Sequence, residues 1–105
     1  MLIMSSSLEI DLADDIATAV IRNAIDEDKE CFMNSELWMV QGGCVECPEY
    51  VEQTMNAFLK ALVIMHRVGV RGEIQLADSD GCLMHYAKVH STGVVLMTKD
   101  ARWET

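Results

Sequence analysis

Cys44 and Cys47, two thiols with two residues between them, make the sharpest chemical pattern in the chain, and Pro48 follows directly. Such a pair exchanges electrons as a dithiol, supplies half of a tetrahedral metal site, or fills a tight turn as two small inert side chains. Redox exchange needs a thiolate. A helix N-terminus favours one through its free N–H groups and its dipole, and Pro48 suits the first turn of a helix. A metal site needs two further donors. His85 and His90, or Cys31 and Cys82, would complete a four-ligand zinc site with Cys44 and Cys47. His85 and His90 are an odd number of residues apart, so on a strand they face opposite ways. Zinc is therefore the alternative, and no cofactor is the expectation.

With a short strand before it and a helix after it, the Cys44–Pro48 segment resembles the site of thioredoxins and glutaredoxins, which implies dithiol redox activity. The chain departs from that pattern because no proline follows Pro48, where those folds carry a cis-proline beside the dithiol. Gly43-Cys44-Val45-Glu46-Cys47 with Val51-Glu52 also resembles the Cys-x-x-Cys loop and helix of heavy-metal-associated metallochaperone domains, which implies metal binding. That likeness covers about twenty residues. The methionine before the first cysteine and the second helix-plus-strand half of that family are missing. No nucleophile–His–acid pattern, Walker loop or dinucleotide fingerprint is present. Asp78-Ser79-Asp80-Gly81 opens like a calcium loop but lacks the acid that closes one.

Charge is the second signal. The chain carries −9 in 105 residues, and the two halves differ. Residues 1–52 hold twelve acids against Arg22 and Lys29, a net −10. Residues 53–105 hold five acids against six bases, a net +1. Phosphate would be repelled by the acidic half, which excludes direct nucleic-acid binding. A basic protein, or a protein with a nucleic-acid-binding groove, is the complementary partner. Asp11, Asp14, Asp15, Asp26, Glu27, Asp28 and Glu30 are the candidate partner-binding residues. Along a helix such acids recur every few ångströms, a spacing that could imitate a row of phosphates.

The elements that position these residues follow from periodicity. Ser6 and Glu9 stand in the Ser-x-x-Glu relation of a capping box. Leu8, Leu12, Ile16, Val20 and Ala24 then recur at i+4, predicting a helix over about 7–25. Leu37-Trp38-Met39-Val40 reads as a short buried strand broken by Gly42-Gly43. Pro48, Glu49 and Glu52 open a second helix whose stripe is Val51, Met55, Phe58, Leu62 and Met65. His66, Arg67 and Gly69 close it. Residues 74–77, 82–89 and 94–98 read as a three-stranded meander with turns at Asp78–Gly81 and His90–Gly93.

The expected fold is α+β: a single domain over 1–105, two helices packed on a small antiparallel sheet in the order α-β-α-β-β-β, with 1–6 and 99–105 loose. No apolar run approaches the roughly 18 residues of a membrane span. Met1-Leu2-Ile3-Met4 is too short for a secretory signal, so the expected setting is the cytoplasm. There, four cysteines are reduced thiols or metal ligands before they are disulfides. The functional expectation is a non-enzymatic acidic protein that docks on, and inhibits, a basic or nucleic-acid-handling partner. Small phage or plasmid inhibitors and immunity proteins resemble it in kind. The alternative is a thiol-redox or zinc domain at Cys44-x-x-Cys47. A homodimer is left open.

Overall fold

A computed structural model describes residues 1–50, 52, 54–78 and 83–100. Its elements run β1 (Leu2–Ser6), α1 (Asp14–Glu27), one turn of 3-10 helix (Ser35–Leu37), β2 (Met39–Gln41), β3 (Cys44–Glu46), α2 (Met55–Arg67), β4 (Gly72–Ala77), β5 (Leu83–His90) and β6 (Gly93–Asp100). The α+β class is as expected, but two sheets share it. One has four antiparallel strands in the order β1-β4-β5-β6, and the other is the β2–β3 hairpin.

The expected meander is β4, β5 and β6. The strand missing from the reading is β1: Leu2–Ser6, expected to be loose, pair with β4 through a register shift between Ile3 and Ser5. Lys99 and Asp100, also expected loose, end β6, and 101–105 lie outside the described residues.

The helix over 7–25 is corrected at its start. Ser7 to Ile10 run extended between the two sheets, so Ser6 and Glu9 form no capping box. Glu9 exchanges backbone hydrogen bonds with Arg71 at 2.7 and 2.9 Å, and the Leu8 carbonyl accepts from the Val45 N–H at 2.8 Å. Leu8 and Ile10 are buried while Ser7 and Glu9 are exposed, the period of a strand. Gly72, at φ +132°, makes room for this crossing. A Cβ there would run into the Ser7 carbonyl and stand 3.0 Å from the Leu8 Cα.

Once α1 begins at Asp14, its buried stripe is Ala17, Ile21 and Ile25, again at i+4. Leu12 and Ile16, assigned inward from the sequence, are 43% and 55% exposed. The second helix is corrected too. Its N-cap is Thr54, whose Oγ1 accepts from the Ala57 N–H at 3.2 Å, six residues beyond Pro48. Its end is as read: the Val70 N–H reaches back to the Met65 carbonyl at 3.0 Å, and Gly69 sits at φ +105°.

α2 lies on the inner face of the four-stranded sheet against β5 and β6, and α1 packs on α2 and β2. The core between them holds Leu8, Ile21, Ile25, Trp38, Phe58, Leu62 and Met65. Trp38 and Phe58 meet edge to face, with centroids 5.4 Å apart. No helix is long and apolar enough to cross a membrane among the described residues.

Candidate acidic groove and the cysteine and histidine positions

The candidate docking acids fall into four settings. Asp15 and Asp26 are separated by eleven residues, close to three helical turns, so they share one face of α1 about 16 Å apart. That face forms one wall of a groove of about 600 Å³ whose lining includes Asp14, Asp15, Arg22, Asp26 and Glu36. Glu36, on the 3-10 turn, joins this wall although nothing in the sequence around it signals that place.

Arg22 sits in the middle of the groove but is held by the backbone. Its Nε donates to the Trp38 carbonyl at 2.8 Å and its Nη2 to the Glu36 carbonyl at 3.4 Å. Among the described residues, Asp15, Asp26 and Glu36 form no ion pair with a basic side chain.

Asp14 has a second task. Gly42 and Gly43, at φ +60° and +80°, form the two-residue turn of the β2–β3 hairpin, where a left-handed backbone at both positions matches the strand twist. Their N–H groups donate to the Asp14 carboxylate at 2.8 and 3.0 Å. These two bonds, Gly42 first, hold the Asp14 carboxyl below its ordinary value. Next to it, Thr18 Oγ1 donates to the Asp14 carbonyl at 2.8 Å and accepts from the Val40 N–H at 3.0 Å. The N-terminal end of α1 is thus fastened to the hairpin at two points.

The remaining acids stand apart from the groove. Asp28 and Glu30 face Lys60 of α2 at 3.8 and 3.5 Å. Asp11 lines a separate hollow with Glu9, Gly43 and Arg71. Glu27 is exposed at the end of α1, one residue off the groove face. The seven acids therefore do not make one continuous surface.

The cysteine pair lies elsewhere than at a helix N-terminus. Cys44 is exposed in β3, opposite Gln41, and Cys47 follows that strand, with seven residues between it and the start of α2. Neither thiol therefore stands at the N-terminus of α2. Burial pushes the Cys47 thiol up to about 11, away from the thiolate that redox exchange requires. Cys31, Cys44 and Cys47 are free thiols. Cys82 lies outside the described residues.

His85 and His90 are not brought together. His85 is 6% exposed on the inner face of β5 and His90 is exposed at its end. Among the described residues, no group of three or more His, Cys, Asp or Glu side chains could hold a metal ion.

His85 has other company. Its Nε2 lies 3.0 Å from Asp78 Oδ1 and its Nδ1 lies 3.0 Å from Thr98 Oγ1. Carboxylate, imidazole and hydroxyl in line have the composition of a charge relay, a set that sequence order did not suggest. Register explains it: Thr98 is the cross-strand partner of His85, and Asp78 directly follows β4, its N–H bonded to the Leu83 carbonyl at the start of β5. The hollow that touches Thr98 is otherwise lined by Tyr86, Met97 and Lys99. By alternation those three belong to the opposite face of the sheet. The contacts satisfy both nitrogens of a buried imidazole, which is what burial demands.

A comparison of the chain with protein-family models, curated proteins and solved structures gives no match.

Proposed function

We propose that this chain is a small acidic binding protein of the cytoplasm that acts through contact, without chemistry of its own. It seats the α1 groove on a basic protein surface or on the nucleic-acid-binding groove of a protein, and blocks it. The observation that carries this reading is the groove itself, with Asp15 and Asp26 on one helix face and Glu36 on the facing turn, none of them in an ion pair among the described residues.

Helix energetics support it. Acids at the N-terminus of α1 favour the dipole, but Asp26 and Glu27 stand at its negative end, with no basic residue in the last turn. A choice that opposes local stability is expected where a residue serves something outside its own helix. Arg22 is fixed by two carbonyls and leaves the groove with one positive charge among Asp14, Asp15, Asp26 and Glu36.

The test begins with the partner that co-purifies at low salt. The triple reversal Asp15→Lys, Asp26→Lys and Glu36→Lys places like charges against that basic surface, and should weaken binding by at least ~100-fold. The far-ultraviolet circular dichroism and melting temperature should stay close to wild type, because none of the three carboxylates has a tertiary partner among the described residues. Unchanged affinity in a folded triple variant would refute the reading.

A further inference from the structure

Ser35 and His85 are the buried polar residues among those described, 7% and 6% exposed. Buried polar groups are almost always hydrogen-bonded. His85 obeys, with a partner on each ring nitrogen. Ser35 does not. Its carbonyl accepts from the Trp38 N–H at 3.2 Å, and the cap of its 3-10 turn is Asn34, whose Oδ1 accepts from the Glu36 N–H at 3.0 Å. The Ser35 hydroxyl is left without a hydrogen-bond partner among the described residues. Ser35 lines the α1 groove, and its hydroxyl opens there.

The contacts along α1 fix which acids stand beside it. Asp14 meets Gly42 and Gly43, Thr18 meets Val40, and Arg22 meets Trp38 and Glu36. Each turn of the helix thus moves back along the facing chain toward Ser35. One more turn, ~6 Å farther along the axis, brings Asp26 to the end of the groove that Ser35 and Glu36 line. An unpartnered hydroxyl therefore shares that end with two carboxylates that form no ion pair among the described residues. Arg22, one turn away, spends its Nε and Nη2 donors on backbone carbonyls and not on these acids.

The chemistry of the occupant follows from how the acceptors are spread. Among the described residues, no three His, Cys, Asp or Glu side chains stand close enough to hold a metal ion. A lysine ammonium is a compact point charge. A guanidinium carries five donors on a rigid plane and reaches acceptors on different walls at once.

We infer that this end of the groove is a pocket for an arginine side chain of the protein partner, its guanidinium donating to Asp26, Glu36 and the Ser35 hydroxyl. The inference rests on the docking reading above and names the group that docks. Asp26 and Glu36 supply the charge. Ser35 supplies a third acceptor and the preference for arginine over lysine.

The experiment is a nuclear magnetic resonance titration of the whole isotope-labelled chain at low salt. Its probes are acetyl-Gly-Arg-Gly-amide, the lysine analogue, and the citrulline analogue, which keeps arginine's shape without its charge. The arginine peptide should shift the amide signals of Asp26, Ser35 and Glu36 and bind at least ~3-fold tighter than the lysine peptide. The citrulline peptide should shift none of them. Ser35→Ala should weaken arginine binding about fivefold, through the loss of one hydrogen bond, and bring the arginine and lysine affinities together. Its melting temperature should not fall, because the hydroxyl has no partner inside the protein to lose; a purely structural role would show the reverse. Shifts that miss Asp26, Ser35 and Glu36, an equal response to the citrulline peptide, or unchanged arginine affinity in a folded Ser35→Ala variant would overturn the inference. The docking reading survives those results if the triple reversal Asp15→Lys, Asp26→Lys and Glu36→Lys still loses the partner. Unchanged partner affinity in that triple variant is the separate failure of the docking reading, and would overturn both.

Discussion

The reactivity of Cys47 separates the geometry described above from the Cys-x-x-Cys chemistry that the bare motif suggests. An ordinary thiol, with a pKa of ~8.5, is about one quarter thiolate at pH 8. Cys47, pushed up to about 11 by burial, is ~0.1% thiolate there, a deficit of roughly 200-fold by the same titration arithmetic. The more basic thiolate is also the better nucleophile. With a Brønsted slope of ~0.45, the difference of about 2.5 pH units returns roughly tenfold. Attack on an aromatic disulfide reagent should therefore run about 20-fold slower than in the unfolded chain, before any loss of access is counted. The assay is a time course on folded protein, with labelling at each cysteine read by peptide mass, against a reference in urea. The folded rate at Cys47 should rise about tenfold per pH unit from 7 to 10, without levelling near 8.5. The same shift makes burial of Cys47 a source of stability that is complete below the unfolded value and is lost as pH rises through the folded one. A folded rate equal to the urea rate, or a plateau near pH 8.5, would refute the burial argument and restore a reactive pair.

Three further outcomes follow from named contacts. Gly72→Ala puts a Cβ into the Ser7 backbone at a positive φ, and should cost about 2–5 kcal/mol by urea denaturation; a change within error of zero would mean that the crossing of 7–10 over β4 is misplaced. Thr54→Ala removes the cap of α2 and should cost about 1 kcal/mol, whereas Pro48→Ala should leave the helix intact, as circular dichroism and melting would show. Asp14→Asn removes a carboxylate whose folded value is depressed by Gly42 and Gly43. Asp14 stabilises the fold above the ordinary carboxylate range and loses that contribution as pH falls through the depressed value. The variant should therefore melt lower than wild type at neutral pH and converge with it in acid; parallel melting curves from pH 7 to 2 would contradict the clamp.

Much of this fold was legible where local signals and tertiary packing agree. The meander, the end of α2 at Gly69 and the stripe Phe58–Leu62–Met65 all follow from period and turn chemistry. The beginning of the chain was not. Leu8, Leu12 and Ile16 stand at helical spacing, yet Leu8 also alternates with Ile10, and only the register with Arg71 and Val45 decides between the two periods. Likewise Pro48 offered a helix start, but Thr54 had the side chain to cap one.

The candidate groove was half visible. Asp15 and Asp26 share a face by helical arithmetic alone. The anchoring of Asp14 to Gly42 and Gly43, and the placing of Glu36 across from α1, depend on contacts across tens of residues that no local pattern encodes. The Asp78–His85–Thr98 line is of the same kind, created by strand register.

The central claim is that the groove docks by charge. Its most direct test is the salt dependence of partner affinity for wild type and for the neutral triple variant Asp15→Asn, Asp26→Asn and Glu36→Asn. Exposed charges are screened beyond ~8 Å at physiological ionic strength. Wild-type affinity should fall steeply between low and high salt, and the variant should start weaker and show a flatter slope. Equal slopes for the two proteins, or affinity indifferent to salt, would contradict the account.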